Sequence, residues 1–167
     1  MQDRFRFRVW NIKEKEMIYN AEIAYDGMNY NTEWQLGKNE NDGWVDCFGY
    51  YLDYPEEYEV MQCTGLKDKN GKLIFEGDIV KKEVFIDYQG DGQFQPDVYV
   101  DRTYIGVVHF TASNGATLQK VKVYETESPY EPKKQRDKRE CPKATKLIAC
   151  RSEVIGNIYE NKELLDE

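Results

Sequence analysis

A single histidine, His109, stands in a chain of 167 residues. It leaves little room for histidine-dependent catalysis, because it would have to serve alone. Lying within the apolar run Tyr104–Phe110, it reads as a packed or edge-exposed strand residue. The four cysteines, Cys47, Cys63, Cys141 and Cys150, sit at unrelated spacings with no CxxC pair. That pattern suits reduced thiols better than a disulfide framework or a zinc site. No GxxxxGK[ST] or GxGxxG stretch is present to cradle a nucleotide, and no cofactor is expected. No apolar run approaches the roughly 18 residues of a membrane helix, and the first ten residues, MQDRFRFRVW, alternate arginines where a secretory signal needs an apolar core. The expectation is a cytoplasmic protein that does not engage a membrane. A basic surplus is also missing. The formal net charge is −8, a long-range field that opposes wholesale attraction to polyphosphate or anionic lipid, so any nucleic-acid contact needs a local basic patch.

What is present is aromatic. Thirteen tyrosines, seven phenylalanines and three tryptophans accompany a 40% hydrophobic content, too much for a disordered chain and suited to a packed, strand-rich fold. The length fits one domain, or a small barrel with an added subdomain. Tyrosines gather at Tyr50, Tyr51, Tyr54 and Tyr58, where rings can bury area while hydroxyls stay hydrogen-bonded, as at interfaces or in an aromatic barrel.

Arg4 to Trp10 alternates strictly. A strand there places Phe5, Phe7 and Val9 on one face and Arg4, Arg6, Arg8 and Trp10 on the other. A charged turn at Lys13–Lys15 lets Met17–Tyr19 return antiparallel as a first hairpin. Asp26–Asp46 is rich in Asn, Gly and Trp and has no clear period.

The least generic stretch is MQCTGLKDKNGKLIFEGDIV, Met61–Val80. A short strand from Tyr58 leads to Gly65, and Asn70-Gly71 predicts a type I′ hairpin turn with positive φ at both residues. Leu73–Phe75 packs, and Glu76-Gly77-Asp78 makes a second tight turn in which Gly77 supplies backbone freedom and Asp78 an acceptor for nearby amides. The strand from Ile79 extends through Val84–Ile86, a small strand is expected at Val98–Val100, and Tyr104–Phe110 with Leu118–Tyr124 forms a second hairpin about Asn114-Gly115. Ser128–Lys146 carries three prolines and seven basic residues, Lys133, Lys134, Arg136, Lys138, Arg139, Lys143 and Lys146. It exceeds ordinary structureless loops and reads as either functional or a disordered insertion. Leu147–Ala149 and Val154–Tyr159 close the domain as strands, with Asn161 capping a short helix over Glu163–Leu165.

Three segments together, FRFRVW with MI a few residues on, QCTGLKDKNGKLIFEGDIV, and EVIGNIYEN, resemble the YopX-like family of phage and prophage proteins. The resemblance covers most of the chain outside Asp26–Asp53 and the basic loop. It implies a mostly β (α+β) protein: an N-terminal, hairpin-containing subdomain over residues 1–60, then an SH3-like β-barrel over 61–167, with the basic loop inserted at about 126–146 and a short C-terminal helix. The family carries no established biochemical function, so no catalytic residue transfers.

Three readings of function follow. The favoured one is a non-catalytic accessory module of the bacterial host cytoplasm that binds another protein and self-associates, since small barrels expose strand edges that a second copy can cover. A nucleic-acid-binding reading uses Arg4, Arg6, Arg8 and Trp10 together with Lys133, Lys134, Arg136, Lys138 and Arg139, because cations beside aromatics suit phosphate contact with base stacking. Against it, those cations can pair with surface carboxylates. A hydrolase reading has only Glu76 and Asp78 to offer, and turn stabilisation is the better use of Asp78. Asp87, Asp91, Asp97 and Asp101 do not match calcium-loop spacing. Gly65, Asn70, Gly71, Gly77 and Asp78 are assigned to turns.

Overall fold

Short alternating segments broken by Gly, Asn and Asp specify strands and tight turns rather than helices, and the chain folds accordingly. The computed structural model describes residues 6–19, 51–89, 98–111, 115–128, 130–139 and 141–166. Two compact units divide the chain, Met1–Leu66 and Lys67–Glu167. The expected strand start at Arg4 and Phe5, the Asn/Gly/Trp-rich stretch before residue 51, the breaks expected at Gly90–Gly92 and Pro96-Asp97, and Asn114 lie outside the described residues.

In the first unit β1 (Phe7–Asn11) pairs antiparallel with β2 (Glu16–Ile18) on one side and with β3 (Tyr58–Lys67) on the other. Asn11 makes the β1–β2 turn: its Oδ1 accepts the N–H groups of Lys13 and Glu14 at 3.1 and 3.0 Å, and Lys15 takes the left-handed conformation, φ 55°. Val9, Trp10, Met17, Met61 and Cys63 are buried. The expected division of the chain at 60–61 falls inside β3.

The second unit holds β4 (Leu73–Phe75), β5 (Asp78–Tyr88), β6 (Val98–Thr111), β7 (Gly115–Thr126), β8 (Lys134–Gln135), β9 (Ala144–Lys146), β10 (Ser152–Asn157) and one helical turn, α1 (Glu163–Asp166). Its larger sheet runs β10-β5-β6-β7-β8, with β9 also on β7, all antiparallel. The register slips between Ile105 and Val107 against β7, where Lys120 has φ 50°, and again between Val154 and Gly156 against β5. Each extra residue bends its strand and deepens the twist, and the sheet curls into a half-barrel. Gly106 is needed at the first slip, because a Cβ there would stand 3.0 Å from the Gln119 carbonyl oxygen. Inside the curl lie Ile74, Val80, Val108, Leu118, Val121, Val123 and Leu147, with Cys141 and Ala149 packed against them. Among the described residues the protein is therefore mostly β in two sheets with very little helix.

Several local expectations differ. Asn70 keeps ordinary φ: among described non-glycine residues positive φ occurs at Lys15 and Lys120, while Gly71 has φ 85°. The hydrogen bonds Gly71 N–H to Asp68 O and Asp68 N–H to Lys72 O make a three-residue loop whose third residue is the left-handed glycine, not a type I′ pair. Gly65 (φ 75°) lies within β3 rather than ending it. Val98–Val100 is not a separate strand but the first part of β6. Leu147–Ala149 is not a strand; the chain instead turns tightly through Ala149–Arg151. The Asn161 side-chain oxygen accepts the Asn157 N–H at 3.2 Å, directing it back to β10 rather than to the helix start. Most consequentially, the basic loop forms β8 and β9, and both lie along the edge of β7.

Candidate functional site

The polar residues of the central segment converge on the segment that ends the chain. Asp68 Oδ1 accepts the N–H groups of Asn70 and Lys72 at 2.8 and 2.9 Å, shaping the turn, while Oδ2 accepts the Val154 N–H on β10 at 3.0 Å. Burial alone would raise this carboxyl's pKa. The N–H groups of Val154, Lys72 and Asn70 outweigh that and hold it below the usual carboxylate value. Beside it the Lys69 N–H bonds Ser152 O at 2.9 Å, and its ammonium meets Glu153 at 2.7 Å.

The second turn uses the same partners. Gly77, φ 79°, donates its N–H to Val108 O and accepts the Ile158 N–H on its carbonyl oxygen, each near 3 Å, so one residue joins β6 to the residue after β10. Asp78 is buried, and its Oδ2 accepts the Phe75 N–H at 2.7 Å. Opposite it in register, buried Asn157 accepts the N–H groups of Tyr159 and Glu160 on Oδ1 at 3.0 and 2.9 Å. Asp68, Asp78 and Asn157 thus act as acceptors for backbone donors.

The second concentration of polar chemistry is the strap from Lys133 to Arg151. β8 pairs with β7 at Tyr124↔Gln135 and Glu125↔Lys134, and β9 pairs at Thr117↔Lys146 through Gln119↔Ala144. A bare β7 edge would be a template for another strand, and the strap covers both ends of it. Charge pins it down. Lys133 meets Asp101 at 2.6 Å and donates to Thr103 Oγ1 at 2.9 Å. Glu125 receives Arg136 Nε on one oxygen at 2.8 Å and Arg102 Nε on the other at 2.6 Å. The Arg136 hydrogen bonds, with those of Arg102, hold the Glu125 carboxyl below its usual range despite partial burial.

At the far end Lys82, on β5 and only 3% exposed, reaches across the half-barrel. Its ammonium donates to Thr145 Oγ1 and Lys146 O at 3.1 and 3.0 Å and sits 4.6 Å from the centre of the Tyr104 ring. Burial pushes its pKa down.

The candidate contacts read from sequence therefore separate. Arg8 is 3% exposed, with Nε donating to Met61 Sδ at 3.4 Å, and Trp10 is buried too. Arg6 is half-buried, and Arg4 lies outside the described residues. Lys133 and Arg136 are engaged by sheet carboxylates. Lys134 and Arg139 face solvent with long contacts of 3.7 and 3.8 Å to Glu131 and Asp137, and Lys138, Lys143, Lys146 and Arg151 are exposed. His109 lies on β6, half-exposed, with Nδ1 2.9 Å from Glu76 Oε1. Among the described residues no three His, Cys, Asp or Glu side chains cluster as metal ligands, and no helix is long and apolar enough to cross a membrane.

A family model described as YopX protein matches residues 6–166. The chain belongs to the YopX family. Protein EF1440 from Enterococcus faecalis, known from a crystal structure, is 25% identical, with 96% of this chain and 97% of that one covered and a TM-score of 0.45. No curated protein matches.

Within this YopX chain, sequence reasoning missed Asp68, Asn157, Lys82 and Glu125. Asp68 carried a usable signal, since an Asp two residues before Asn-Gly commonly folds back on the following amides. Lys82 carried none, because a lysine within the charged run Lys81-Lys82-Glu83 looks like a solvent-facing position.

Proposed function

We propose that this YopX protein is a non-catalytic accessory module of phage or prophage origin that acts in the bacterial host cytoplasm by binding another protein. The observation that carries the non-catalytic reading is the use of the signature's polar side chains. Asp68, Asp78 and Asn157 are buried and bonded to backbone N–H groups, which serves fold stability. The Asp68 carboxylate is a poor proton acceptor, because the N–H groups of Val154, Lys72 and Asn70 already stabilise its charged form. The half-barrel supports an SH3-like scaffold: an antiparallel sheet curled over one core, drawn together by the Lys82 link from β5 to β9.

The module self-associates through the outer edge of β5. β10 covers that strand only from Asp78 to Lys82, and beyond it Phe85 and Ile86 are 58% and 48% exposed. Strand backbone with no pairing partner among the described residues, beside exposed apolar side chains, favours pairing with another copy. Light scattering at rising concentration tests this. A dimer mass for the native chain and a monomer mass for Ile86→Lys are expected, whereas a monomer mass for the native chain at the highest concentration removes self-association from the reading.

A further inference from the structure

We infer that the strap is a surface for single-stranded nucleic acid, whose phosphates lie along Lys134, Lys138, Arg139, Lys143 and Lys146 and one of whose bases stacks on Tyr130. This goes beyond the protein-binding reading and adds a second ligand class to it.

Charge segregation is the first support. Residues 130–151 hold eight Lys and Arg against three Asp and Glu, a net +5 inside a chain of −8. Asp101 and Glu125 lie against the strap and offset Lys133 and Arg136, so the positive charge it presents to solvent is that of the exposed Lys134, Lys138, Arg139, Lys143, Lys146 and Arg151, and at about 0.1 M salt acidic groups more than roughly 10 Å away are largely screened.

Geometry is the second support. The strap runs antiparallel to β7, from Lys134 opposite Glu125 to Lys146 opposite Thr117. At roughly 3.3 Å per residue the eight-residue separation spans about 26 Å. Such a line of cations can follow the phosphates of one strand. The line is also held in advance. Lys133–Asp101, Arg136–Glu125 and the Lys82 hydrogen bonds to Thr145 and Lys146 anchor its ends, while Cys141 and Leu147 sit against the core. Binding then costs less ordering of the strap backbone. The anchoring cations and the solvent-facing ones are different residues, so phosphate contact does not require the strap to release the sheet.

Tyr130 is the third support. It is 94% exposed three residues before the strap begins, with its N–H bonded to Ser128 Oγ at 3.3 Å. An aromatic ring presented to water four residues before Lys134, the first of the solvent-facing cations, supplies the stacking platform that sequence-tolerant single-strand binders combine with cations.

The test is fluorescence anisotropy of a labelled oligothymidylate with the full chain, its Lys138→Glu/Arg139→Glu/Lys143→Glu form and its Tyr130→Ala form, each checked for native melting. Native binding should weaken with salt at a log–log slope of about −3 to −4, as five phosphate contacts to a single strand imply. The triple variant should bind at least about tenfold more weakly with a shallower slope. Tyr130→Ala should lose about tenfold with the slope kept. No binding at low salt, equal binding by the triple variant, or displacement by poly-glutamate as effective per charge as by unlabelled oligonucleotide would overturn the inference. The light-scattering mass of the triple variant separates the two ideas, because self-association through β5 does not involve these residues.

Discussion

Asp68 and Val154, 86 residues apart in sequence, are joined by a 3.0 Å hydrogen bond from the Val154 N–H to Asp68 Oδ2. That contact ties the two most distinctive segments of the chain together and closes β10 against the turn before β4. Its donors are backbone groups in a site where Asp68 is almost fully buried. Asp68→Ala leaves three N–H groups without their acceptor and should cost about 2–4 kcal/mol in urea unfolding, while Asp68→Asn, which keeps an acceptor oxygen, should cost about half as much. A loss under about 0.5 kcal/mol for Asp68→Ala would show that water replaces the carboxylate there.

The same carboxylate sets a pH dependence. Its folded pKa is below the ordinary 3.8, so the stability it contributes is fully present above that value and is lost as pH falls through the folded pKa. Glu125, also lowered, acts in the same direction. Unfolding free energy should therefore fall below about pH 4, and the fall should be shallower in Asp68→Asn. Parallel acid profiles for the two proteins would remove Asp68 as a cause.

Lys82 has the opposite sign. Burial lowers its folded pKa below the ordinary 10.5, so the unfolded chain binds more protons between the two values and stability rises with pH across that window. Lys82→Met should remove that alkaline rise. It should change stability at neutral pH by only about 1 kcal/mol, because an apolar side chain of similar volume replaces a costly buried charge. Hydrogen exchange at β9 should speed up in this variant as the strap loses its anchor at Lys146 O. Unchanged exchange there would mean that pairing with β7 holds β9 unaided.

Gly156 stands where a Cβ would come within 2.6 Å of Asn161 Oδ1 and 2.9 Å of its Cβ. Gly156→Ala should destabilise by about 1–3 kcal/mol, as overpacking does. Combined with Asn161→Gly, which deletes the obstructing atoms, the cost should be less than the sum of the single changes. Strict additivity would place the strain elsewhere.

Legibility in the sequence followed locality. Leu73–Phe75, Ile79–Ile86, Tyr104–Phe110 and Val154–Asn157 are strands because apolar and β-branched residues lie between turn residues, and both facts are local. The Asn70-Gly71 turn was visible as a turn but not as a type: its geometry depends on Asp68, whose side chain occupies the amides that a type I′ pair would have left to the backbone. β8 and β9 have no periodicity of their own. They are strands because β7 has an edge to cover and because Glu125, Asp101 and Lys82 supply partners for the strap. Arg8 shows the limit of alternation. A period of two tells which residues share a face, but not whether the second face meets water, and Arg8 and Val9 on opposite faces of β1 are both buried.

The most direct test of the binding-module account is affinity capture by the tagged full chain from a bacterial lysate treated with nuclease, with the retained species quantified against the bait. The account predicts a protein held near stoichiometric amount after nuclease treatment. Retention of nothing beyond the bait, at a concentration where the chain is shown to be folded, would contradict it.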